Sequence, residues 1–136
     1  MARPKAMKLL VLCLVTWLAH ASELSYSTAA YDELFAAWEH GTESLGRYDL
    51  RSDSEFAECL SNSSTKLSSV MKLEKRLRQE LRSIHPGAHW LRMAAAKARQ
   101  CVSCGKGAQA ACIEMSGDLD KAKNALKSAQ GSDLEK

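Results

Sequence analysis

Proline is scarce in this sequence, with only two residues in 136, and no stretch alternates apolar and polar residues as a half-buried strand requires. Alanine, leucine, lysine, glutamate and arginine, which favour helices, are abundant instead. The sequence therefore predicts an all-α protein, and its length predicts a single domain.

Recognisable catalytic patterns are also missing. No serine, histidine and acidic residue form a triad-like set, and Gly105-Lys106-Gly107 lacks the rest of any phosphate-binding loop. His85 and His89 are four residues apart, but Pro86 between them spoils the helical geometry that would bring both imidazoles to one metal ion. We therefore expect a protein that is not an enzyme and that holds no metal or other cofactor.

A second long apolar run is absent, and the first one is short. Basic residues precede the apolar run from Leu9 to Ala19, and Ala19-His20-Ala21 supplies the small residues that a signal peptidase requires. The run is about half the ~20 residues needed to cross a bilayer. The sequence thus predicts a signal peptide over residues 1–21, a helical domain over 22–130, a flexible tail over 131–136, no retained membrane anchor, and a periplasmic or secreted location.

Charge is distributed unevenly along the predicted mature chain. Residues 22–65 carry 2 basic and 9 acidic side chains, whereas residues 66–106 carry 10 basic and 2 acidic ones. The basic middle either contacts an anionic partner or belongs to a helix that packs beside an acidic one. The second alternative is the simpler expectation.

Three helices account for the apolar spacing. The first spans about Ser27 to Leu45, the second runs from a capping box at Ser52 and Glu55 to Ile84, and the third runs from Ala88 to about Ala129. A small antiparallel three-helix bundle is predicted, with four helices as the alternative if the last one breaks at Gly105 to Gly107.

The apolar seams of the second and third helices match in one antiparallel register, in which level residues have numbers that sum to 171. This register predicts contact between Glu74 and Lys97, and it places Leu60 in the buried seam. It also makes Cys59 level with Cys112, so we expect those two cysteines to be bonded.

The other two cysteines of the predicted mature chain, Cys101 and Cys104, are then expected to bond each other. The rival pairing, Cys101 with Cys112 and Cys59 with Cys104, requires the chain to fold back between Gly105 and Gly107. A straight helix would hold Cys101 about 16 Å from Cys112.

Two functions remain open. The first is a secreted or periplasmic protein, stabilised by disulfides, that binds another macromolecule as immunity proteins, inhibitors and envelope accessory proteins do. Its partner is expected to be another protein or an anionic envelope component rather than nucleic acid, and its candidate contacts are the basic residues Lys72, Lys75, Arg76, Arg78 and Arg82. The second is a cofactor-binding or thiol-redox bundle that uses Cys101 and Cys104.

Overall fold

The computed structural model describes the backbone of residues 4–134 and the side chains of residues 8–131. It contains four helices and no strand within that range, which confirms the prediction of an all-α protein. The helices are α1 (Pro4–Arg47), α2 (Asp53–Glu80), α3 (Ala88–Cys101) and α4 (Ala108–Leu134).

Helix α1 is much longer than the predicted helix, because it continues without interruption through the apolar N-terminal segment. The large apolar side chains from Leu9 to Leu18 are more than half exposed, and the first buried residue of the chain is Ser27. The stretch Lys8–Arg47 includes a window apolar and long enough to cross a membrane, and none of that window is buried. By length and composition this segment can be a signal sequence or an anchor, and the core of the bundle is complete without it.

Helices α1 and α3 each pack against the other three helices, whereas α2 and α4 do not contact each other. Four alanines of α3 are buried, together with Leu91, and these small side chains let the neighbouring helices approach closely: Ala88, Ala94, Ala95 and Ala98. The resulting core extends to Leu34 of α1, Leu77 of α2 and Met115 of α4.

The ends of α2 differ in detail from the prediction. Ser52 has extended geometry at the N-cap position, but its hydroxyl makes no capping hydrogen bond and instead lies 3.2 Å from the hydroxyl of Ser54. The helix ends at Glu80, four residues before Ile84, because Leu81 adopts an extended backbone; in the turn that follows, the imidazole of His85 accepts a hydrogen bond from the backbone N–H of Arg82. The predicted start is correct, whereas the predicted capping box does not form.

The predicted third helix is two helices. The chain reverses between Cys101 and Ala108, where Cys104 adopts a left-handed backbone conformation with φ of 60°. The four-helix alternative is therefore correct, and α3 and α4 form an antiparallel pair. Helix α4 extends through the first four residues of the predicted tail, and Glu135 and Lys136 lie outside the described residues.

Candidate binding surface

The reversal after Cys101 overturns the predicted disulfide pairing. Cys59 is bonded to Cys104, with α-carbons 6.2 Å apart, and Cys101 is bonded to Cys112, with α-carbons 4.7 Å apart. The predicted pairs, Cys59 with Cys112 and Cys101 with Cys104, both assumed a straight third helix. Because α4 turns back along α3, Cys112 comes level with Cys101, and Cys104 is left to face α2.

The predicted contact between Glu74 and Lys97 is wrong for the same reason. The ammonium of Lys97 lies 2.6 Å from a carboxylate oxygen of Asp118 on α4, whose side chain is only 9% exposed. Glu114 lies 3.6 Å from the same ammonium. The hydrogen bond to Asp118 is the main cause that raises the pKa of Lys97 above its ordinary value. Glu74 instead pairs with Arg78 of its own helix.

A buried polar chain lies beside the bond between Cys59 and Cys104. The Ser63 hydroxyl lies 3.5 Å from the sulfur of Cys104 and 2.9 Å from Nε2 of His40. Burial, reinforced by the positive charge of Lys66, lowers the pKa of His40 below its usual value. The folded protein therefore disfavours the protonated imidazole of His40, and Ser63 beside it is only 3% exposed.

The thiol-redox alternative depends on Cys101 and Cys104 acting together. Each of them is bonded to a different cysteine, and both are at most 3% exposed. Among the described residues, no group of three or more histidine, cysteine or acidic side chains could hold a metal ion. No observation in this part of the chain favours a redox or metal function.

The five candidate basic residues are all exposed on α2 and the turn that follows it. Arg76 forms an ion pair of 2.7 Å with Glu33 of α1, and Arg78 forms one of 2.7 Å with Glu74. Within the described residues, the other three have no ion pair: Lys72, Lys75 and Arg82. The acidic first helix therefore neutralises only one of these five charges, although simple packing of acidic against basic helices was the expectation.

Basic side chains also line a groove between α1 and α2. Lys66, Lys72 and Arg76 lie along it, and Glu33 is its only acidic lining residue. The floor consists of small or apolar side chains, including Ala37 and Val70. The groove extends the positively charged surface from the outer side of α2 towards α1.

Sequence reasoning missed an exposed apolar surface on α2. Leu60 was assigned to the buried seam, yet it is 43% exposed, and Met71 is 44% exposed. The side chains of α2 that are buried are Cys59, Ser63, Val70, Leu73 and Leu77. This set has helical spacing as regular as that of the predicted seam, so spacing alone could not choose between them.

The comparisons with known proteins give no further guide to this surface: no family model, no curated protein and no solved structure matches the chain.

Proposed function

We propose that the chain is exported, loses residues 1–21, and acts as a non-enzymatic helical protein that binds another macromolecule through the basic side of α2. The observation that carries this proposal is the set of exposed cations without acidic partners among the described residues, namely Lys72, Lys75 and Arg82. Charges left free on a rigid helix attract an anionic surface at long range. The partner is therefore an acidic protein or an anionic envelope component.

Two features support export. The cysteines form two pairs at bonding distance, which is compatible with an oxidising compartment outside the cytosol. The apolar segment contributes nothing to the buried core, so its removal leaves the bundle intact. N-terminal sequencing of protein recovered from the periplasm or medium should begin at Ser22, and an intact N-terminus in the membrane fraction would contradict this part of the proposal.

The binding proposal is tested by neutralising the basic side of α2. We expect the triple variant Lys72→Gln, Lys75→Gln and Arg82→Gln to capture less of the native envelope partner and to show a flatter dependence of capture on salt. The partner is identified by mass spectrometry of material captured by the unaltered protein, so that the same species is quantified in every variant.

The matched control removes the same charge from elsewhere on the bundle. Lys106, Lys123 and Lys127 are exposed, and the last two lie on α4, which does not contact α2. Replacement of these three by Gln should leave capture close to that of the unaltered protein. If both triple variants lose capture equally, the attraction is a property of net charge and the assignment to α2 is wrong.

A further inference from the structure

The outward side of α2 carries a stripe of accessible side chains that runs almost the whole length of the helix. Spacings of three, four and seven residues place its members on one helical face: Asp53, Leu60, Ser64, Leu67, Met71 and Arg78. Leu67 is half-buried and the others are exposed. Leu67 packs partly against the core, and no helix of the described chain covers the other members of this stripe.

The stripe is self-complementary when two copies run antiparallel. If residues with numbers that sum to 131 lie level, Leu60 of each copy faces Met71 of the other, and Ser64 faces Leu67. The same register places Asp53 opposite Arg78, so that an acidic end meets a basic end twice. Helix dipoles also oppose each other favourably in this orientation.

We propose that this stripe is the interface of a symmetric antiparallel dimer whose partner is a second copy of this chain. A two-fold axis near residues 65 and 66 makes every contact occur twice, as in other isologous interfaces. A parallel pair would instead bring Asp53 beside Asp53. An anionic bilayer is a poorer occupant, because Asp53 would be brought towards it at one end of the stripe.

The ion pair that already exists within α2 does not prevent this arrangement. Arg78 is 75% exposed while it contacts Glu74, and exposed pairs of this kind contribute little to stability. The guanidinium can therefore contact an aspartate of the second copy at small cost. One helix pair forms a small interface, so we expect a weak dimer that depends on protein concentration.

The dimer does not depend on the proposed binding function, and it is measured on the purified protein alone. It would cover Arg78 and the neighbouring Lys75, and it would leave Lys72 and Arg76 accessible to a different partner. A dimer that captures no partner would support the dimer alone, and a monomer that captures the partner would support the binding function alone.

Sedimentation velocity of the chain from Ser22 onwards, which contains the whole buried core, tests the interface over a range of protein concentrations. We expect Met71→Asp to weaken the dimer more than 100-fold, because a charge is then buried twice against Leu60. Asp53→Arg or Arg78→Asp alone should weaken it roughly 3- to 30-fold, since each change breaks two exposed pairs.

The combination of Asp53→Arg with Arg78→Asp gives the decisive measurement. In the antiparallel register the two changes restore both pairs with reversed polarity, so the double variant should regain most of the lost affinity. Lys72→Glu, a charge reversal on α2 away from the stripe, serves as the control and should change the affinity less than either single reversal. Far-UV circular dichroism checks that each variant is folded.

Three results would overturn the proposal. One is a folded monomer at every concentration up to about the millimolar range. Another is a dimer that tolerates Met71→Asp, or single charge reversals that the double variant does not rescue. The last is a monomer that binds phosphatidylglycerol vesicles through Leu60 and Met71, because the stripe would then be a membrane contact.

Discussion

Removal of each disulfide in turn should destabilise the protein by amounts set by the length of the loop that it closes. Cys59 and Cys104 are separated by 45 positions, and Cys101 and Cys112 by 11. In the chain-entropy model the first bond contributes about 4 kcal/mol and the second about 2.8 kcal/mol. The expected difference is therefore about 1.2 kcal/mol in favour of the longer loop.

The comparison uses two double variants, Cys59→Ser with Cys104→Ser and Cys101→Ser with Cys112→Ser. All four sulfurs belong to buried residues, so the burial of two serine hydroxyls affects both variants similarly. Urea unfolding followed by far-UV circular dichroism gives the free energy of unfolding of each variant. If the variant that lacks the shorter loop is the less stable one, the loop-entropy explanation is refuted.

A tryptic digest of the unaltered protein distinguishes this disulfide pairing from the one predicted from the sequence. No lysine or arginine lies between Cys101 and Cys104, so trypsin leaves both in one peptide. Without reduction, that peptide should remain linked to two others, one containing Cys59 and one containing Cys112. Recovery of a two-peptide product that joins Cys59 to Cys112, beside a separate peptide containing Cys101 and Cys104, would contradict the structure.

Three further predictions concern the core. Lys97→Met should cost about 2–4 kcal/mol of unfolding free energy in urea because it leaves Asp118 buried and unpaired, and adding Asp118→Leu should recover most of that loss. Because the pKa of His40 is lowered in the folded protein, stability that depends on its neutral form is fully present above the ordinary histidine pKa of about 6.5 and is lost as pH falls below that value. His40→Gln should therefore flatten the decline of thermal stability between pH 7.5 and 5. Gly41→Ala should destabilise the protein by about 1–3 kcal/mol, since a β-carbon there would lie 2.6 Å from the backbone oxygen of Cys101. Gly46→Ala in the same helix meets no neighbouring atom and should be neutral or stabilising. Equal shifts of the urea midpoint in the two variants would show that helix propensity alone determines both effects.

The sequence by itself determined the helical class and several boundaries. The absence of strand periodicity and the scarcity of proline identified an all-α chain. The sequence placed the starts of α2 and α3 at Ser52 and Ala88, because the turn residues before each helix act locally, although the Ser52 hydroxyl makes no capping hydrogen bond. The exposure of the five candidate basic residues was also predictable, because long charged side chains are rarely buried without a partner.

Only the tertiary structure decided which residues meet. Two sets of residues on α2, the predicted seam and the set that is buried, have equally regular helical spacing, and the predicted register also assumed a chain that does not turn back after Cys101. Gly105 and Gly107 indicated that a break was possible there, but the left-handed conformation of Cys104 disfavours side chains with a β-carbon, so local preference alone did not decide it. Its cost is offset by long-range contacts that no single segment contains, including the two disulfides and the pairing of Lys97 with Asp118. Local chemistry determined that the chain is helical, and the packing of α2 on α1 and α3 determined which surface of α2 remained exposed.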